Sequence, residues 1–291
     1  MKKYIYFCFL ILLTDLTTAQ EDKYPENFGE IFKSDKMLLG QNIFKGDIAY
    51  SLSRVSYVDE TQILQEYLRQ SIRFNFNINP WQELYIRTSI YLDLTRSSVS
   101  PPWLSDFFYQ VGYYNWRSNS VSFGYENYQP NRWATFFENF YENFKRGFVF
   151  VSYNITLEKP EGEKTLKPFF WDETSKLIIV PVFKVHPEYQ DENNNFAGYF
   201  KPILGVNIRY VIFYNIYLES GLFYYSKEEA KLSWDPDFTY GFGIFDWRAF
   251  KINISYGNWI ANRFPWNEGN KELDYYGFLN GEFVLSFTYS W

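Results

Sequence analysis

Ser71-Ile72-Arg73-Phe74-Asn75-Phe76-Asn77-Ile78 alternates polar and apolar side chains at every step. The next segment repeats the pattern. Leu84, Ile86, Ile90, Leu92 and Leu94 interleave with Tyr85, Arg87, Ser89, Tyr91, Asp93 and Thr95. A period of two gives a strand with one greasy face and one polar face. Twelve segments of this kind are predicted. Six lie near 46–57, 66–78, 83–96, 106–116, 119–128 and 147–156. Six more lie near 176–186, 198–210, 214–225, 237–247, 249–259 and 281–291. Twelve antiparallel strands are an even number, and such a sheet closes on itself without leaving an exposed edge. The predicted fold is therefore all-β, a closed antiparallel transmembrane β-barrel.

Composition narrows the class. Aromatic residues make up 23% of the 291, with 27 tyrosines and 31 phenylalanines. Mean hydropathy is nevertheless −0.35. No stretch after the first residues is long and apolar enough for a membrane helix, so apolar surface would be delivered by alternating strands. A soluble all-β sandwich is the competing reading. The net charge of −6 comes with no basic block, which removes nucleic acid as a partner. At the N-terminus, basic Met1-Lys2-Lys3 precedes an apolar run, Tyr4 to Leu13, and the small-residue site Thr17-Thr18-Ala19. This predicts a signal peptide over 1–19, with a short core segment as the alternative. The one cysteine, Cys8, falls inside it. The processed chain would have no disulfide, no thiol chemistry and no thiolate metal site.

The last predicted strand places Phe283, Leu285, Phe287, Tyr289 and Trp291 at every second position and stops on Trp291. It resembles the closing strand of bacterial outer-membrane β-barrel proteins, whose terminal aromatic serves as an assembly signal. The resemblance is to that broad class. It implies an outer-membrane location in a Gram-negative-type bacterium, contact with outer-membrane lipid, and handling by the barrel-assembly machinery through the C-terminal strand. Connection lengths fit. With a periplasmic N-terminus, the predicted periplasmic turns are short (79–82, 116–118, 211–213, 247–248). The outer loops are longer (58–65, 97–105, 129–146, 187–197, 226–236, 260–280). Residues 157–175 break the rule as a long periplasmic crossing, and could hide a further strand. Residues 20–45 are expected to be a periplasmic tail or a plug.

Internal similarity divides the barrel. Residues 106–132 align without gaps to 237–263, with ten identities over 27 positions, including Asp106/Asp237, Trp116/Trp247, Arg117/Arg248 and Asn131/Asn262. The expectation is a duplication with half-repeats at about 46–156 and 176–291.

Strand parity supplies the candidate functional residues. If Phe283, Leu285 and Phe287 face lipid, then Arg73, Arg87, Asp93, Lys201, Arg209, Glu219 and Lys251 face a lumen and would set its selectivity. Gly112 and Gly243 also face inward, where a missing side chain widens the bore or admits a neighbouring element. A second set lies on the rim. Tyr-x-Asn-aromatic-x-x-Asn-Arg occurs twice, placing Asn127, Asn131 and Arg132 opposite Asn258, Asn262 and Arg263. These are candidates for binding an anionic or carbohydrate ligand, against the plainer role of capping strand ends and tying loops down. The single histidine, His186, is the one foothold for an envelope hydrolase. It sits at a predicted strand end with no serine motif beside it, so catalysis is disfavoured. Carboxylates are scattered, and neither metal nor cofactor is expected.

The preferred function is a narrow channel or porin for small polar or anionic solutes, saccharides among them. The alternatives are a non-conducting barrel acting through aromatic outer loops as an adhesin or assembly subunit, and a hydrolase using His186. The sequence leaves the oligomeric state open.

Overall fold

The computed structural model describes residues 44–58, 64–81, 83–95, 105–115, 117–127, 131, 147–158, 174–191, 195–213, 215–227, 230–232, 234–246, 251–260, 262–264, 266 and 281–290. Twelve strands form a single closed ring. They are β1 Phe44–Val58, β2 Leu64–Trp81, β3 Leu84–Asp93, β4 Phe107–Tyr113, β5 Ser120–Asn127, β6 Phe148–Glu158, β7 Lys176–Gln190, β8 Phe196–Phe213, β9 Ile216–Tyr225, β10 Phe238–Ile244, β11 Ile252–Asn258 and β12 Glu282–Ser290. Each pairs antiparallel with its sequence neighbours, and β12 returns to β1 with Lys45 opposite Ser290 and Ser53 opposite Glu282. Full closure gives every strand two partners, so the ring has no edge to protect.

All twelve predicted segments are strands. β6 pairs directly with β7, so no hidden strand lies between them in the ring. Most of the 157–175 crossing, all of the predicted signal peptide over 1–19, and nearly all of 20–45 fall outside the described residues.

β7 and β8 are among the strands that run further than predicted. β7 continues past His186-Pro187 to Gln190, and β8 starts at Phe196. Proline ends many strands because it has no N–H to donate. Here the ladder steps over it. His186 pairs with Lys201 and Glu188 with Tyr199, while Phe200, which faces the gap, takes a positive φ of 59°.

Strand lengths run in parallel between the halves. β1 to β6 have 15, 18, 10, 7, 8 and 11 residues. β7 to β12 have 15, 18, 10, 7, 7 and 9.

The two faces of the sheet differ in chemistry. Ile86, Leu92, Val121, Phe123, Val149, Val151, Leu204, Leu218, Phe242, Ile254 and Leu285 are all exposed, and all share one parity. A water-soluble monomer rarely shows so much contiguous apolar surface. The other face is polar and tied across the strands. Ser51 and Ser71 share a hydrogen bond of 2.6 Å, Asn75 donates to Asp47 at 2.6 Å, and Asn253 donates to Thr288 at 2.9 Å. A small apolar cluster of Phe148, Phe150 and Val182 sits on this inner face where β6 meets β7.

Gly112 has a close-packing role. A Cβ there would lie 2.4 Å from the Phe123 carbonyl oxygen and 2.6 Å from the Gly124 Cα. Gly243 matches it, with a Cβ 2.4 Å from the Ile254 oxygen and 2.8 Å from the Ser255 Cα. Of the two expected reasons for glycine, close approach of the next strand is the one present.

Candidate functional site

The inner face carries a dense set of charges. Register fixes their orientation, because Arg73 pairs with Tyr91, Arg87 with Gln110, and Arg209 with Glu219, all on the parity opposite the apolar belt. Several of these charges are neutralised locally. Arg209 reaches the Glu219 carboxylate through Nε at 3.1 Å and Nη2 at 2.7 Å. Arg69 Nε donates to Asp93 at 2.8 Å. Lys201, 2% exposed, donates to Asp235 at 2.6 Å. Buried charges pay a desolvation cost that only good pairing offsets, so these pairs are what make a charged interior tolerable.

Arg73, Arg87 and Lys184 differ. Among the described residues they make no ion pair. Each lies over an aromatic ring instead: Arg73 5.9 Å from the centroid of Tyr91, Arg87 5.6 Å from Phe108, and Lys184 4.5 Å from Phe148. Carboxylates balance them at longer range. Asp47 and Glu282 act on Arg73, and the Glu126 carboxylate feels both Lys184 and Arg87. Glu126 also accepts a hydrogen bond from Gln110. Lys251 lies exposed just before β11, at the end of the barrel that carries the short turns.

Glu126 and Lys184 were missed by the sequence reading, although the signal existed. Val121, Phe123 and Tyr125 define the outer parity of β5, which turns Glu126 inward. Phe183 and Val185 do the same for Lys184. Tyr114, just beyond β4, sits close enough to feel Arg209, Glu126 and Arg87; burial pushes its hydroxyl well above the usual tyrosine range and keeps it neutral. Arg209 belongs to β8, whereas Arg87, Tyr114 and Glu126 lie on or beside the neighbouring strands β3 to β5.

The rim asparagines have structural work. Asn127 and Asn131 are each 0% exposed. Asn131 Nδ2 donates to the Phe107 carbonyl at 3.1 Å and to Asn127 Oδ1 at 3.3 Å. In the second half, Asn262 Nδ2 donates to the Asn258 carbonyl at 3.1 Å. The backbone repeats as well. Asp106 N–H donates to Asn131 O at 2.8 Å, and Asp237 N–H donates to Asn262 O at 2.7 Å. Gly147 N–H donates to the Tyr125 hydroxyl and Gly281 N–H to the Tyr256 hydroxyl, both at 3.1 Å. Tyr109 stands opposite Asn127, and Tyr240 opposite Asn258. Arg263 donates through Nη2 to the Leu232 carbonyl at 2.9 Å and through Nη1 to that of Asp235. Side chains engaged in this way tie strand ends and loops together. Arg132 lies outside the described residues, as do Trp133, Phe136, Phe137, Phe140, Tyr141 and Phe144.

His186 is not at a strand end. It is buried on the inner face within β7, and its ring meets that of Phe148 edge-on at 5.2 Å. Among the described residues no three His, Cys, Asp or Glu side chains gather as a metal site.

No family model matches the sequence, and no curated protein matches it. Among the solved structures to which the chain is similar are three outer-membrane channels and porins. An outer-membrane channel from Pseudomonas putida F1 has a TM-score of 0.35 and 12% identity, over 89% of this chain and 98% of that one. A triple mutant of the Rhodopseudomonas blastica porin has a TM-score of 0.27 and 9% identity, over 84% of this chain and 99% of that one. OccK2 (OpdF) from Pseudomonas aeruginosa, in complex with glucuronate, has a TM-score of 0.28 and 9% identity, over 87% of this chain and 98% of that one.

Proposed function

We propose that the chain is an outer-membrane β-barrel that forms a narrow channel for small polar or anionic solutes. One observation carries this reading: the closed ring is apolar on its outer face and charged on its inner face. A sheet of that kind suits lipid outside and water inside. Secretion with removal of 1–19, insertion through the C-terminal strand, and duplication of a six-strand half belong to the same proposal. The duplication is supported by the matched strand lengths and the twice-built Tyr–Asn rim.

Anion preference rests on fewer groups than parity alone offers. Lys201 and Arg209 are neutralised by Asp235 and Glu219. Arg73, Arg87 and Lys184 remain, with Lys251 at the turn end. Glu126, Asp47 and Glu282 temper them, so the expected preference is modest.

The test is single-channel conductance of the refolded protein in a planar bilayer under a salt gradient. Steady conductance with a mild anion preference that Arg87→Gln weakens is the expected result. A folded barrel that stays silent would falsify the channel. It would favour the non-conducting alternative, for which the stacked Phe264 and Trp266 rings (4.6 Å apart, Trp266 76% exposed) offer a contact surface. The membrane assignment has its own test. Leu285→Arg, on the outer face, should cost about 2–4 kcal/mol in bilayers, whereas Ser286→Arg, on the inner face, should not.

A further inference from the structure

The connection between β9 and β10 does not behave as a solvated outer loop. Within it Ala230 and Leu232 are buried, and Asp237 is 1% exposed. Its contacts run to the inner wall. Asp235 takes the ammonium of Lys201, an inward residue of β8. Tyr225, the inward last residue of β9, donates its hydroxyl to the Pro236 carbonyl at 3.1 Å. Lys231 lies 5.1 Å from the centroid of the Tyr225 ring and pairs with Asp237. From the far side, Arg263 holds the carbonyls of Leu232 and Asp235. The loop is thus fixed at both ends of its buried stretch by charged groups.

The first half shows why. Arg69 is the sixth residue of β2, and Lys201 is the sixth residue of β8. Both are buried cations on the inner face. Arg69 finds its carboxylate inside the sheet, at Asp93, the last residue of β3. The last residue of β9 is Tyr225, which cannot neutralise a lysine. Lys201 therefore draws its counter-charge from the loop, and the loop is brought in with it.

We infer that the β9–β10 connection is an inward strap, latched by Lys201–Asp235 and clamped by Arg263, that covers the inner wall of β8 and β9 at the loop end and narrows the passage there. The strap is a matter of geometry; its effect on a passage rests on the channel reading. When the latch is cut, a buried lysine is left without its carboxylate. That state is costly enough to drive the strap out into water.

Thiol labelling tests the strap without using conductance. The full chain, with Cys8→Ser so that no other thiol is present, carries Leu232→Cys as a probe. Leu232 enters the latch only through its backbone. A water-soluble maleimide should label this probe slowly in the folded barrel. Adding Asp235→Asn should speed labelling about tenfold or more. If Asp235→Asn does not fold, Arg263→Gln removes the clamp from the opposite side and carries the same expectation. Labelling of Leu232→Cys that is already as fast as in the urea-unfolded chain, or a rate unmoved by releasing the latch in a folded variant, overturns the strap. Conductance measured in parallel separates the two ideas. A released strap with raised conductance supports both. A released strap over a silent barrel supports the strap and sinks the channel.

Discussion

The two halves place a buried cation at the same point of the same strand and neutralise it differently. Arg69 is held within the sheet by Asp93, which is itself a third exposed. Lys201 is held by a loop aspartate, and that pair is the more enclosed of the two, with Lys201 2% and Asp235 19% exposed. Matched strand lengths therefore do not imply matched packing. Moving one carboxylate from a strand end to a loop converts a strand-to-strand tie into a strand-to-loop tie. The first kind stiffens the wall, and the second makes a connection part of the interior.

The comparison breaks most readily at these cations. Asp235→Ala strands a buried lysine and should lower stability by about 3–5 kcal/mol in urea unfolding of the refolded barrel. Asp93→Ala should cost clearly less, because the carboxylate it removes is itself a third exposed and the pair less enclosed; equal losses would erase the proposed difference between the halves. Next come the glycines, where the halves should agree. Gly112→Val and Gly243→Val both drive a side chain into the neighbouring backbone. Each should cost about 1–3 kcal/mol or impair assembly, seen as loss of the folded band in heat-modifiability gels. A harmless Gly243→Val would show that the second close approach is not needed. Smallest are the tyrosine ties. Tyr125→Phe and Tyr256→Phe each remove the acceptor of a glycine N–H and should each cost about 1 kcal/mol, with faster amide exchange at Gly147 or Gly281 as the local sign.

Strands were legible because alternation is a local property, and each segment states its own parity. Ile72, Phe74 and Phe76 turn Arg73 and Asn75 inward without reference to any other strand. Parity also held the information for Glu126 and Lys184. Pro187 misled because it looks like a terminator, and only the register shows the ladder stepping over it. The ion pairs were not legible. Lys201 and Asp235 are 34 residues apart, and nothing local distinguishes a loop aspartate that turns inward from one that stays in water. The rim was legible as a repeat but not as a role. Tyr125, Asn127 and Asn131 recur as Tyr256, Asn258 and Asn262, yet only the bonds to Gly147 and Gly281, and to the carbonyls of Phe107 and Asn258, show what they hold.

The alternating register has a consequence for how such a chain can change. Substituting one inward residue alters one position of the lining. Inserting one residue into β2 exchanges the two faces from that point on, sending Arg73 and Asn75 toward the apolar belt and Phe74 and Phe76 into the interior. Within the regular stretches of its strands, point substitutions and insertions or deletions of two residues keep the faces apart, whereas a single residue is absorbed only at a bulge such as those at Tyr189/Gln190 and Val211/Phe213. Length variation should therefore collect in the connections at the loop end. The β9–β10 strap is the exception there, because its length is set by the reach of Asp235 to Lys201.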